Sequence, residues 1–267
     1  MGNILRHELR ANFKGTLLWA LALSAMTYTF MYLFPSIAHE HAKWDSLVNQ
    51  LPKGVLSGFG MNVLQISNIF GYYGTQVYAL LVLFVAIYAV LLFSGLLARE
   101  ESEGTIEFLI GRPITRSDIF FGKTIAAVAL AIGCNALLFL ATWASFAQFH
   151  TRPFALAVLA WFSVGLLLVT LVFGFLGLLI GVLLPRPRTL NSLAIGLAFL
   201  TYFFGVASAM SHKLHILRYA SPYQFVDQTT IVQHKAIPAG DWIGLLALCA
   251  ILAAAAYGYY RTKDLTA

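Results

Sequence analysis

The carboxylates of this sequence are concentrated in one stretch. Five of its eleven Asp and Glu residues lie in the segment Arg99-Glu-Glu-Ser-Glu-Gly-Thr-Ile-Glu-Phe-Leu-Ile-Gly-Arg-Pro-Ile-Thr-Arg-Ser-Asp118. Carboxylates grouped in this way suit the docking of a protein partner with basic groups, because complementary charge fixes the register of an interface. The segment is therefore the first candidate for a functional site, and the chemistry that it predicts is recognition of a partner.

Other reactive side chains form no comparable group. Two pairs of histidines are close in sequence, but no cluster of carboxylates or cysteines accompanies them: His39 with His41, and His212 with His215. Cys134 and Cys249 lie inside long apolar runs, and we interpret them as small apolar side chains. We therefore predict neither a metal site nor catalytic residues in this chain.

The rest of the sequence predicts an all-α membrane protein. Hydrophobic residues make up 60% of the chain and charged residues 10%, and the mean hydropathy is +0.79, which leaves too little polar surface for a water-soluble globule. Each uncharged run is long enough, at roughly 20 residues, to cross a bilayer as a helix. The predicted spans of this single membrane domain, residues 1–267, are 16–34, 75–98, 124–149, 154–184, 189–211 and 242–260.

The distribution of basic residues predicts the orientation. Eleven Lys and Arg residues, Lys123 among them, flank the spans on one side, and six lie in longer connections on the other. Cytoplasmic connections carry the excess, so both termini are predicted to be cytoplasmic. The basic residues stand singly at the ends of apolar runs, which is typical of membrane orientation and not of nucleic-acid binding. Residues Asn3 to Lys14 predict an amphipathic helix on the membrane surface, before the chain turns into the first span.

The predicted spans contain no Asp, Glu, Lys or Arg. Ion-coupled transporters, proton pumps and voltage sensors need ionisable side chains at membrane depth, so the sequence disfavours these classes and favours an external source of energy. The polar residues of the spans are mild. We predict that they form hydrogen bonds between helices and do not contact substrate: Gln76, Ser94, Asn135, Thr170, Asn191, Ser192 and Thr201.

The acidic segment has a predicted local structure. Ile106, Leu109 and Ile110 share one face of a short helix that begins near Thr105, and Gly111 and Pro113 give it a stop. Ser117 is the predicted N-cap of the third span, with Asp118 in its first turn. The segment thus predicts a short rigid helix beside carboxylates, on the cytoplasmic side of the membrane.

This segment resembles the permease subunits of type-two ABC exporters, in which an acidic stretch ending in Glu-Gly-Thr precedes a short helix and a Pro-x-(Ser/Thr)-Arg turn. Here the elements are Glu100 to Thr105, Ile106 to Ile110, and Arg112 to Arg116. Weaker similarity extends over most of the chain, through the six-span layout and through Leu51-Pro52, Phe59-Gly60 and Ser221-Pro222-Tyr223.

The resemblance implies that the segment is a coupling helix that sits in a groove of an ATPase subunit. The implied contact residues are Glu100, Glu101, Glu103, Gly104, Thr105, Ile106, Phe108, Leu109, Arg112, Pro113, Thr115 and Arg116. It also implies a plasma-membrane complex of two ATPase subunits, which bind ATP and Mg, with two permease subunits as a homodimer or a heterodimer. The chain itself has no Gly-x-x-x-x-Gly-Lys-(Ser/Thr) loop for nucleotide phosphates, so it is not predicted to be an enzyme.

Two functions of other classes stay open at this point. A channel or facilitator would pass solute without ATP, and a membrane scaffold would bind a partner through the acidic segment without any flux. For an exporter, the uncharged, aromatic-rich spans favour a peptide, a drug-like molecule or a lipid over a bare ion. The substrate-binding residues are not identified by the sequence.

Overall fold

A computed structural model describes residues 2–40, 53–58, 68–102, 115–150, 153–184, 187–210 and 212–262. Within these ranges the chain is helical and contains no strand. Six helices are long and apolar enough to cross a membrane, as predicted. The long helices are α1 (Gly2–His39), α2 (Ala79–Ser102), α3 (Arg116–Phe149), α4 (Leu156–Leu183), α5 (Pro187–Met210) and α6 (Ala239–Thr262).

The first helix differs from its prediction at both ends. Asn3 to Lys14 do not form a separate helix from which the chain turns into the membrane, because α1 is continuous over 38 residues. It also passes through Pro35 before it ends at His39; Pro removes one backbone hydrogen bond, which long membrane helices tolerate. The position of the N-terminal part at the membrane surface stays a prediction.

The second span begins earlier than predicted and contains an irregular turn. A short helix, Ile69–Tyr72, is capped by the side chain of Asn68, and a π-helix, Tyr73–Tyr78, joins it to α2. The phenol of Tyr78 donates a hydrogen bond to the carbonyl of Val226 at 3.1 Å. Wide turns of this kind often mark functional places in a helix, and this one lies where the second span meets the connection that precedes α6.

The second span and α4 form the centre of the bundle. In the most apolar window of the second span 67% of residues are buried, and in that of α4 61%, against 28% for α1, 22% for α5 and 17% for α6. The backbones of α2 and α4 approach closely because Gly177 and Gly181 have no side chain. A Cβ atom would lie 2.7 Å from the carbonyl oxygen of Val90 at Gly177 and 2.6 Å from that of Ser94 at Gly181. Small residues four apart allow such contact between membrane helices.

The connection between α5 and α6 is ordered by short helices. Two 3₁₀-helices, His212–Ala220 and Pro222–Val226, are followed by the α-helix Gln228–His234. The carboxylate of Asp227 accepts a hydrogen bond from the amide of Thr230 at 3.1 Å and caps that helix. This connection and the π-helix lie at the opposite end of the bundle from Ser102, where α2 ends, and Thr115, which precedes α3.

Candidate functional site

The predicted contact residues fall into three groups. Glu100 and Glu101 lie in the last turn of α2, and Thr115 and Arg116 lie where α3 begins. The others, and with them the predicted short helix, lie outside the described residues: Glu103, Gly104, Thr105, Ile106, Phe108, Leu109, Arg112 and Pro113. The structure therefore defines the two flanks of the segment. We call the end of the bundle that carries these flanks the loop end.

The start of α3 is fixed by a capping box. The amide of Asp118 donates a hydrogen bond to the hydroxyl of Thr115 at 3.2 Å, and a carboxylate oxygen of Asp118 accepts from the hydroxyl of Thr115 at 2.6 Å and from its amide at 3.3 Å. The N-cap is thus Thr115, and the prediction of Ser117 was wrong, although Asp118 does lie in the first turn. Reciprocal hydrogen bonds between Thr115 and Asp118 thus fix the first turn of α3.

Ser117 has another role, since its hydroxyl lies 3.0 Å from the phenol oxygen of Tyr257 in α6. The ring of Phe120 packs against those of Tyr257 and Tyr260, with centroid distances of 5.3 and 5.6 Å. The first turns of α3 are therefore held against the last turns of α6. The end of α6 thus lies at the loop end.

A small apolar cluster lies beneath these aromatic contacts. It joins α2, α3, α4 and α6, and its buried members are Phe93, Leu96, Phe120, Ala127, Ala131, Leu178, Val182, Ala256 and Tyr260. Because packed cores resist deformation, four helix ends connected in this way respond to a force as one unit. The two helices that carry the flanks, α2 and α3, join this unit through Leu96 and Phe120.

A buried ion pair joins α1 to the loop end. The ammonium of Lys123 lies 2.6 Å from Oε1 of Glu8 and donates a hydrogen bond to the carbonyl of Leu96 at 2.7 Å. Lys123 is 2% exposed and Glu8 9%. Lys123 is therefore not the flanking loop cation that the charge count assumed. Sequence reasoning also missed Glu8. It could have been noticed as a carboxylate among the basic residues of the N-terminal stretch.

Two of the polar residues in the spans bridge helices, as predicted. The amide of Asn135 in α3 donates hydrogen bonds to the hydroxyl of Thr170 in α4 at 3.1 Å and to the carbonyl of Ala131 at 3.0 Å. The hydroxyl of Thr201 bonds within its own helix, to the carbonyl of Leu197 at 2.8 Å, and it also forms a hydrogen bond with the phenol of Tyr223 in the connection between α5 and α6. Where the structure describes the chain, no three or more His, Cys, Asp or Glu residues are grouped so that they could hold a metal ion.

A crevice lies at the end opposite the loop end. Its walls include Tyr78, Tyr202, Tyr223, Gln224 and Asp227. The ring of Tyr223 stacks on Phe173 at a centroid distance of 5.0 Å, and its hydroxyl donates to the carbonyl of Ala198 at 3.2 Å. The crevice has a volume of about 50 Å³, and the phenols of Tyr78 and Tyr223 already donate to backbone carbonyls, so it does not by itself form a substrate site.

Comparison with known protein families places nearly the whole chain in one match. Residues 2–265 match the family described as ABC-2 family transporter protein. The match includes the acidic segment, both of its flanks and all six long helices. A search of curated proteins gives no significant match.

Proposed function

Since the chain belongs to the ABC-2 family of transporter proteins and is a membrane permease subunit of an ABC transporter, we propose that it exports a substrate with energy from ATP hydrolysis. The ATPase subunits are separate proteins, and they bind the segment from Glu100 to Arg116. The observation that supports this coupling site best is that α2 and α3, the helices on either side of the segment, are packed into one apolar cluster with α4 and α6. A push on the segment would therefore move several helices together.

The proposed contact surface combines charge and shape. Glu100, Glu101 and Glu103 attract basic groups on the ATPase, and the short apolar helix enters its groove. Thr115, one of the proposed contact residues, also caps α3. A firm cap is what a coupling element requires, since a frayed helix end would absorb movement before it reached the membrane.

The proposed complex contains two permease subunits and two ATPase subunits in the plasma membrane. ATP and Mg bind to the ATPase, and the present chain is a single permease domain without catalytic residues. We propose that both termini lie on the cytoplasmic side. This orientation agrees with the basic residues and with the contacts of Glu8 with Lys123 and of Tyr257 with Ser117, which bring the N-terminal part of α1 and the end of α6 to the loop end.

The proposed substrate is a peptide, a drug-like molecule or a lipid. The predicted spans carry no charged residue to coordinate a bare ion. At the end opposite the loop end, Tyr78, Tyr202 and Tyr223 line a crevice that is too small to hold such a molecule as it stands. An exporter would release its substrate at that end.

The coupling site is tested by purifying the tagged chain from membranes together with its ATPase. Simultaneous replacement of Glu101→Gln, Glu103→Gln and Gly104→Val should abolish recovery of the ATPase, because it removes both the charge and the small residue at the start of the predicted helix. The matched control is Glu40→Gln with Asp241→Asn. It removes two carboxylates at the end of the bundle opposite the loop end, one just after α1 and one in the first turn of α6. This control should retain the ATPase.

Three outcomes would contradict the proposal. The triple variant would retain both the ATPase and ATP-driven transport if the segment were not the contact. Solute flux through vesicles that contain this chain alone, without ATP, would indicate a channel. Binding of a partner that hydrolyses no nucleotide, with no flux under any condition, would indicate a scaffold.

A further inference from the structure

Lys123 stands at a junction of three helices. It belongs to α3, it is ion-paired with Glu8 of α1, and it donates a hydrogen bond to the carbonyl of Leu96 in α2. Asn12 extends the junction, because its side-chain amide donates at 3.1 Å both to Oε2 of Glu8 and to the carbonyl oxygen of the same residue. We call Glu8, Asn12, Lys123 and the Leu96 carbonyl the polar junction.

The polar junction lies close to both flanks of the acidic segment. Leu96 is six residues before Ser102, where α2 ends, and Lys123 is eight residues after Thr115, which caps α3. At about 1.5 Å per residue these separations are about 9 and 12 Å along the helix axes. The junction is thus placed where a displacement of either flank reaches it within two to three helical turns.

Its chemistry is better suited to fixing geometry than to stabilising the fold. A buried ion pair gives up the hydration of both ions, so its net contribution to stability is small compared with apolar groups of similar volume. What it supplies is direction, since the ammonium has three donors and a carboxylate accepts in defined positions. Here one ammonium fixes the end of α2 and the N-terminal part of α1 relative to α3.

We propose that Glu8 and Lys123 are positioning residues for coupling to the ATPase. They make α1 move together with α2 and α3 when the acidic segment is displaced, so that α1 joins the unit formed by the other helix ends. This inference rests on the proposed function, because it concerns the movement that the ATPase would impose. Without the polar junction, α1 would stay packed on α3 but would no longer be fixed through Lys123 to the end of α2.

The chain offers a control contact between the same two helices. The phenol of Tyr28 in α1 donates to the side-chain oxygen of Gln148 in α3 at 3.3 Å, at an exposed position near the opposite end of the bundle. Replacing Gln148→Ala removes a polar link between α1 and α3 but leaves the loop end unchanged. If the polar junction acted only by holding α1 against α3, Gln148→Ala would alter the kcat for ATP in the same way as replacement of Glu8 and Lys123.

The experiment uses the complete complex, reconstituted in lipid vesicles, with ATP as the probe. The main variant combines Glu8→Leu with Lys123→Met, which removes both charges and leaves neither ion unpaired. The kcat and KM for ATP are measured and compared with those of the ATPase subunits alone. The amount of ATPase recovered with the chain and the melting temperature of the complex are measured in parallel.

We expect the ATPase to be recovered equally with the double variant, and the KM for ATP to be unchanged. The kcat of the wild-type complex should differ from that of the ATPase alone, and the kcat of the double variant should return to the value of the ATPase alone. Lys123→Arg, which keeps a charged donor, should retain the wild-type kcat. Gln148→Ala should retain the wild-type kcat.

The failures of the two proposals are distinguishable. If no ATPase is recovered with the wild-type chain, the proposed function fails, and this inference fails with it. If the ATPase is recovered and the double variant keeps the wild-type kcat, only the role of the polar junction is contradicted. Should the double variant not assemble, Glu8→Gln decides, since it keeps the shape of the side chain: a kcat equal to that of the wild type overturns the inference, and a shift toward the value of the ATPase alone supports it.

Discussion

A single methyl group at Gly181 provides a sharp test of the packing between α2 and α4. In Gly181→Ala the new Cβ would lie 2.6 Å from the carbonyl oxygen of Ser94 and 3.0 Å from its Cα. Both are backbone atoms, so no side-chain rotation relieves the contact. To restore an ordinary separation, the backbone of α2 must recede from α4 by about 0.8 Å.

The expected cost follows from this geometry. Overpacking of a well-packed interior costs roughly 1–3 kcal/mol, while Ala gains up to about 1 kcal/mol over Gly in helix propensity. Gly133 in α3 supplies the control, because no described atom of a neighbouring residue lies within 4 Å of its Cβ position. Gly133→Ala receives the propensity gain alone, so the two variants should differ by roughly 1–3 kcal/mol in the free energy of unfolding.

The assay is unfolding by sodium dodecyl sulfate in mixed micelles, followed by far-ultraviolet circular dichroism. Gly181→Ala should unfold at a lower mole fraction of the denaturing detergent than the wild type or Gly133→Ala. Equal stability of the two alanine variants would refute the close approach of α2 and α4.

Three further predictions concern buried polar groups. Lys123→Met alone leaves Glu8 as a buried carboxylate without its ammonium partner, and it should lower the free energy of unfolding by roughly 3–5 kcal/mol. Lys123→Met combined with Glu8→Leu should lower it much less, and unfolding of both variants by detergent distinguishes these cases. Asn135→Leu removes the hydrogen bond to Thr170 and should lower the free energy of unfolding by about 0.6 kcal/mol in the same assay. A decrease above about 2 kcal/mol would mean that the pair does more than link two helices. Burial raises the pKa of Asp227 above its ordinary value of 3.8, so the folded chain holds this proton to higher pH than the unfolded chain. The stability that it contributes is complete below pH 3.8 and is lost as the pH rises through the raised value. Asp227→Asn keeps a capping side chain and should flatten that decline in melting temperatures measured across pH, whereas an unchanged profile would show that Asp227 does not cause it.

The sequence predicted the membrane helices well because their signal is local. An uncharged run of this length must be helical in lipid, so each span is visible without its neighbours. The boundaries were less certain. Both Thr115 and Ser117 are good capping residues, and the choice depends on which has extended backbone; Thr115 has φ −77° and ψ 153°, and it forms the reciprocal bonds with Asp118. The Thr-x-x-Asp spacing was visible in the sequence and would have identified the cap.

The contacts between distant parts of the chain were not visible in the sequence. Glu8 and Lys123 are separated by 115 positions, and nothing in either local pattern connects them. The pair became identifiable once α1 and α3 were placed side by side. The contact at Gly177 and Gly181 was partly predictable from the sequence, because small residues four apart are typical of close helix packing. Their spacing does not identify α2 as the partner helix.

The central claim is that the acidic segment contacts a nucleotide-hydrolysing subunit. A photo-crosslinking amino acid at position 103 in the assembled complex tests this claim most directly, with position 241, in the first turn of α6 at the opposite end of the bundle, as the control. We predict a covalent adduct with the ATPase subunit from position 103 and none from position 241. An assembled, ATP-hydrolysing complex in which position 103 forms adducts only with lipid, or with some other protein, would contradict the account.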